Sequence, residues 1–591
     1  MSSLTDAGAL AMSVFLVFLA GCLFLSMLNS PDLRDAAEDF FAQRGSSTGT
    51  GGTGGSGTTG VAGALRQGLA LTGDFVSAAG LLFLCGIVAT GGHDGILIVA
   101  ATALSPLLLK VLLAERLPAA REFGPGRSLG DILARRLPPG PARRTAGVAT
   151  LVVSVPLLVA QLVPVGGITA AVMGLPGEHG AMAGIALTGI LILACAAIGG
   201  ARGSTLFQTL KAVGFLLLVP LLALLVLARF GWDHGAVVSR AAHGSGIGEA
   251  AYLASGRLFG TDLTGRLDTL SLALTVLLGA AFLPHLLTRL STSRTAETAR
   301  RSSSLAVIAV LLLCVTAGVV GHGVQALAGA QRSGGAGPHG GDDLLLLAAG
   351  LDGSDPARPG SSGTLLTFIA CAAFLAALAS ASVLLLSGSA AVVLDMGRHR
   401  HAHPGKRNPG APGARPRPLR ARIALGAVGA VCIALAVFGR EAGAQFWLTL
   451  SWTEAATVVL PALGCALLCR RFTLRGLRWC VYGGTLVALT LLALSPAVSG
   501  SPESVFPDAH WAVFPLHAPG LVSVPVSFLL AWTGTRLTPS PSPSASPSAS
   551  ASASRTPSSS SASPSATSRE QGAQRPSASG DLLTGTTRGR D

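Results

Sequence analysis

Long apolar runs alternate with short polar connections over most of the chain. A hydrocarbon core about 30 Å thick takes about 20 predominantly apolar residues per helix. By that measure the sequence predicts about thirteen spans: residues 9–28, 64–91, 96–114, 146–173, 181–200, 204–229, 267–290, 305–330, 363–393, 423–438, 446–469, 477–494 and 520–533. The first run has the length of a signal peptide, but no Lys or Arg precedes it and Asp6 does, so it reads as an extra helix.

Four segments interrupt the pattern. An acidic patch, residues 32–39, leads through Phe40 and Phe41 into residues 45–60, a Gly/Ser/Thr run without charge that reads as a flexible linker. Residues 232–266 and 331–362 are polar connections. From Pro539 the chain turns to Ser, Pro and Ala, a composition that cannot bury a core and is expected to be disordered.

Composition narrows the class. Of 591 residues, 50% are hydrophobic and 12% charged, and the mean hydropathy is +0.59. Soluble proteins carry about 25% charged residues, and soluble cores stop growing at about 250–300 residues. The chain is therefore expected to be an all-α polytopic membrane protein. Its net charge of +14 suggests nucleic acid only until the bases are placed. With the N-terminus outside, the six inner connections hold about 26 of the 42 Lys and Arg residues, against about six in the outer ones. The charge thus reports orientation in a cell membrane, with contacts to anionic lipid and a cytoplasmic C-terminal tail, and no nucleic-acid partner. The nine cysteines form no CxxC pair and are expected to be buried, inert thiols.

Ionisable groups at membrane depth cost about 2.5–3.5 kcal/mol each on insertion scales, so each calls for a reason. Asp74 sits in a polar break, Thr72-Gly73-Asp74-Phe75-Val76-Ser77, where glycine makes unwinding cheap. Unwound backbone at the midplane exposes carbonyls to a cation; the plainer alternative places Asp74 near the inner helix end. Lys110 and Lys211 are expected to snorkel, and Asp395 to cap the inner boundary of its span. Glu454 is either a proton site or high enough to meet water. The stretch 376–382, rich in Ala and Ser, suits close packing, and its hydroxyls also suit a hard cation. His285 reads as a locally hydrogen-bonded group. His399, His401 and His403 alternate in a basic loop that is expected to be solvated rather than metal-binding. The only Gly-Lys pair, at Gly405, lacks the rest of a Walker A sequence, and neither HExxH nor a suitably placed GxSxG occurs. The chain is expected to be no enzyme, to need no cofactor, and to draw on an ion gradient.

Several short motifs, in collinear order from about Asp39 to Thr535, carry a resemblance. Asp39-Phe40-Phe41-Ala42-Gln43-Arg44-Gly45 resembles D-F-[FY]-V-A-G-R, and Gly73-Asp74-Phe75-Val76-Ser77-Ala78-Ala79 resembles G-D-Y-M-S-A-A. Gln208-Thr209-Leu210-Lys211-Ala212-Val213 resembles Q-I-I-K-A-V, and Leu283-Pro284-His285-Leu286-Leu287-Thr288-Arg289 resembles L-P-H-I-L-M-R. Arg470-Arg471-Phe472-Thr473-Leu474-Arg475-Gly476 resembles R-R-F-T-x-R-G, and Pro519-Gly520-Leu521-Val522-Ser523-Val524-Pro525 resembles N-P-G-I-V-S-I-P without its leading Asn. Together these are similar to the sodium:solute symporter family and, within it, the acetate and short monocarboxylate permeases. The Gly/Thr linker is a departure.

The resemblance implies a leucine-transporter-type fold of two inverted five-helix repeats, here 64–230 and 267–469. Around them lie an extra helix at 1–30, a loop at 31–63, peripheral helices at 470–536 and a tail at 537–591. It implies a cation site formed by carbonyls of Thr72, Phe75 and Ala376 and by hydroxyl positions at Ala379 and Ser380, with Asp74 organising the pathway. Ala379 has no hydroxyl, which removes one oxygen. Ser77 and Gln161 are candidate donors to a substrate carboxylate. The function so implied is symport of acetate, propionate or pyruvate with Na⁺ or H⁺. The alternatives are a family member for proline, a sugar or a vitamin, or a transporter-like sensor or scaffold.

Overall fold

Apolar segments of this length must satisfy their backbone groups internally, and the chain does so as helices. The computed structural model describes residues 2–30, 40–41, 61–114, 116–119, 128–175, 177–246, 248–291, 293, 295–332, 364–397, 418–501 and 504–538. The acidic patch, the Gly/Thr linker, most of the connection at 331–362, the histidine loop and the tail lie outside them. The main helices are α1 (Ser2–Leu28), α2 (Val61–Phe75), α3 (Ala78–Gly91), α4 (His93–Leu113), α5 (Pro139–Val172) and α6 (Gly177–Arg229). They continue as α7 (Leu263–Ala281), α8 (Pro284–Ser291), α9 (Ala296–Arg332), α10 (Thr364–Ala390), α11 (Pro418–Phe438), α12 (Gly443–Glu454), α13 (Leu460–Leu468), α14 (Gly484–Ala493) and α15 (Gly520–Arg536).

Among the described residues, nine helices are long and apolar enough to cross a membrane, and the bent pair α2/α3 makes a tenth. This falls short of the expected thirteen for identifiable reasons. Helix α6 runs 53 residues as one element, about 80 Å at 1.5 Å per residue, against a hydrocarbon core of about 30 Å. Gly200, at φ 53°, breaks it near the expected boundary between two spans. The described apolar part of α1, Met12–Leu28, and α15, at 17 residues, fall below the span length.

Burial ranks the helices from centre to rim. The apolar window of the Thr367–Asp395 span is 83% buried, whereas that of Leu419–Phe438 is 33% buried. Helix α10 therefore lies innermost, packed on α5 and α6, with α12 also on α5 and α9 against α2. Exposed Val111, Leu217 and Leu224 mark faces that lipid would cover. Among the described residues, three π-helical turns interrupt the helices, at Ala391–Asp395, Ala455–Val459 and Trp479–Gly483. The second precedes Pro461, which has no N–H to return to the preceding turn. Six of the nine cysteines are buried as expected; Cys371 and Cys465 are half-buried and Cys469 is exposed at the end of α13.

Candidate functional site

The polar break expected at Asp74 is a real one. Helices α2 and α3 meet at 57° across it. Val76 N–H still donates to the Thr72 carbonyl at 3.1 Å, but Ser77 is extended and begins a new helix. Its hydroxyl accepts from Gly80 N–H at 3.0 Å, an N-cap in the ordinary sense. Gly73 has a steric reason: a Cβ there would collide with the Gln208 carbonyl, so α2 lies directly against the backbone of α6.

The break opens on a cavity of about 40 Å³, room for two or three water-sized groups. Its walls are largely apolar, from Leu84, Leu157, Val310, Leu384 and Trp452. Its polar lining comes from Asp74, Ser77, Thr102, Ser105, Gln161, Gln208, His285 and Ser380. A second cavity of about 60 Å³, lined by Ser128, Thr150, Ser204 and Thr288, shares His285 and Val383 with the first. His285 thus stands between the two.

The structure brings the two expected substrate donors together. Gln161, fully buried on α5, donates from Nε2 to Ser77 Oγ at 3.3 Å and accepts Ala79 N–H on Oε1 at 3.2 Å. Two of the first amides of α3, those of Ala79 and Gly80, are thereby engaged by Gln161 and Ser77.

Around the expected cation positions the side chains are also committed. Thr72 hydroxyl donates to the Gly68 carbonyl at 2.9 Å, leaving its own carbonyl to Val76. Asp74 is held by Arg289 of α8 through Nε–Oδ2 and Nη2–Oδ1 contacts. Phe75 is half-buried, Ala376 and Ala379 are fully buried, and Ser380 is 5% exposed. Lys211 does not snorkel as expected: it is 1% exposed and donates from Nζ to Ser380 Oγ at 2.8 Å. One turn earlier on α6, Gln208 donates from Nε2 to the Ala379 carbonyl at 3.2 Å. The sequence alone gives a lysine near a helix end; only the approach of α10 to α6 makes the aqueous boundary unreachable.

Two other expectations are sharpened. Asp395 lies in the π turn after α10, 2% exposed, where Ser128 hydroxyl donates to its Oδ1 at 2.7 Å. Glu454 does not meet water: it is fully buried, and neither carboxylate oxygen has a hydrogen-bond partner among the described residues.

Sequence reading missed Arg289 as a site residue, counting it with the inner basic loop. The signal was present in Pro284-His285-Leu286-Leu287-Thr288-Arg289: His285 and Arg289 are four apart and share a helix face. Trp452 and Ser105, which also line the cavity, carry no comparable mark.

A broken helix facing a small, largely apolar buried cavity, in a bundle that is helical throughout its described residues, fits a multi-pass protein of the leucine-transporter type, and its family and relatives make it a transporter, not an enzyme. The family model described as the sodium:solute symporter family matches residues 54–484, and the chain belongs to that family. It is 31% identical over 545 residues to the monocarboxylic acid transporter of Corynebacterium glutamicum, covering 89% of this chain and 91% of that one. It is 28% identical over 535 residues to the uncharacterized symporter YwcA of Bacillus subtilis, covering 89% and 94%. Among solved structures, a substrate-bound, outward-open Na⁺-coupled sialic acid symporter matches with TM-score 0.63 at 13% identity, covering 89% of this chain and 97% of that one. That last likeness concerns the fold.

Proposed function

We propose that this transporter is a secondary active symporter that imports a small monocarboxylate, such as acetate, propionate or pyruvate, with a cation. The observation that carries the proposal is the charge balance of the small cavity. Arg289 answers the Asp74 carboxylate, so the Lys211 amine beside Ser380 has no carboxylate of its own among the described residues, next to a compact, mostly apolar pocket. A buried amine so placed favours an anionic ligand, whose charge in turn stabilises the ammonium form, and the short apolar walls favour a small one. The name of the Corynebacterium glutamicum relative supports the same class.

In this reading Gln161 turns its Nε2 from Ser77 to the substrate carboxylate, and the Ser77 hydroxyl donates to the same group. Asp74 and Arg289 fix the break in α2/α3 while the bundle rocks against the scaffold around the midplane site. His285 and Val383, common to both cavities, lie on the exit route. The N-terminus lies outside and the C-terminus in the cytoplasm. Competition measures the substrate class: uptake of labelled acetate into vesicles is expected to fall with excess propionate or pyruvate and to resist proline and glucose. Inhibition by proline or a sugar, with none by monocarboxylates, would overturn the proposal.

A further inference from the structure

The coupling ion is the point at which this chain departs from its family's name. The family resemblance places a sodium ion between the broken helix and α10, on carbonyls of Thr72, Phe75 and Ala376 and on hydroxyls at the positions of Ala379 and Ser380. A hard cation needs a shell of oxygens free to turn toward it. Three members of that set are missing or engaged. Ala379 supplies no hydroxyl. Ser380 hydroxyl, the one side-chain oxygen left in the set, accepts the Lys211 ammonium at 2.8 Å. The Thr72 carbonyl accepts Val76 N–H at 3.1 Å, and the Ala379 carbonyl beside the site accepts the Gln208 amide at 3.2 Å.

Charge points the same way. Lys211 is 1% exposed, and the charged groups acting on it are Asp74 and Arg289. Asp74 is already held by Arg289, so among the described residues no spare carboxylate acts on Lys211 to offset a second cation beside it. We propose that the Lys211 ammonium occupies the place of the coupling sodium, so that this transporter binds and moves its substrate without Na⁺ at that site. Lys211 occupies the one hydroxyl of the set on α10, and Gln208, one helical turn earlier on α6, holds the neighbouring Ala379 carbonyl. The substrate part of this inference rests on the monocarboxylate reading; the sodium part does not.

Two measurements on the full-length protein keep these separate. The first uses radiolabelled sodium alone on purified protein, with no substrate. Wild type is expected to show no saturable binding, whereas Lys211→Gln combined with Ala379→Ser, which removes the ammonium and restores a hydroxyl, is expected to acquire it. Saturable sodium binding by wild type overturns the inference, whatever the double variant does. The second uses labelled acetate in proteoliposomes. Coupling between two sites changes affinity by about 5- to 150-fold, so replacing external Na⁺ by choline is expected to leave the wild-type acetate affinity unchanged. A fall of that size overturns the inference. Absence of acetate exchange in both media overturns the monocarboxylate reading and leaves the sodium-binding result to stand or fall by itself.

Discussion

The Asp74 carboxylate and the Arg289 guanidinium, 215 residues apart in sequence, form a buried ion pair that ties the broken helix α2/α3 to helix α8. Their side chains are 0% and 3% exposed. Removing one partner of such a pair strands the other charge and costs about 3–5 kcal/mol, whereas removing both costs far less. Arg289→Gln is therefore expected to lower the melting temperature of the detergent-solubilised protein strongly, and Asp74→Asn with Arg289→Gln to regain most of it. Additive losses in the double variant would show that the two side chains act independently. Both single variants are expected to lose labelled acetate uptake, and a normal initial rate in Asp74→Asn would remove Asp74 from the pathway.

Gly73→Ala reverses an ordinary sign. In a helix interior, alanine in place of glycine usually gains about 0.5–1 kcal/mol. At this position the added Cβ meets the Gln208 carbonyl of the neighbouring helix. The variant is expected to melt below wild type and to transport poorly. Wild-type uptake and stability in it would mean that α2 and α6 are less closely apposed than described.

Gln161 sits between the Ser77 hydroxyl and the Ala79 amide. Hydrogen bonds to a charged group contribute about 1.5–3 kcal/mol, so Gln161→Leu is expected to raise the KM for acetate by about tenfold or more. The concentration dependence of initial uptake reads this directly. A lower maximal rate at unchanged KM would assign Gln161 to helix positioning instead.

Glu454 is fully buried and neither of its oxygens is hydrogen-bonded among the described residues. Replacing buried ionisable groups with apolar ones of similar volume is often neutral or stabilising, by about 1–4 kcal/mol. Glu454→Leu is thus expected to melt at or above the wild-type temperature. A large loss of stability would reveal a partner for the carboxyl.

Deleting residues 539–591 separates a transporter from a sensor that signals through its tail. Acetate uptake is expected to survive the deletion unchanged, because the Ser/Pro/Ala composition offers no apolar surface with which to support the bundle. Loss of uptake in a normally expressed, membrane-inserted truncation would contradict that.

Hydropathy and local chemistry in the sequence determined the helical class and the polar break around Asp74, because these depend on residues near one another or on the length of an apolar run. Tertiary structure decided who holds whose charge. Arg289 reads as one more inner arginine until α8 packs beneath the broken helix. Lys211 reads as a snorkelling lysine until α10 closes over it and presents Ser380. Glu454 stood open between water and burial until its neighbours sealed it. The cost of a buried charge depends on which groups from distant segments come within a few ångströms, and no local pattern in the chain encodes that distance.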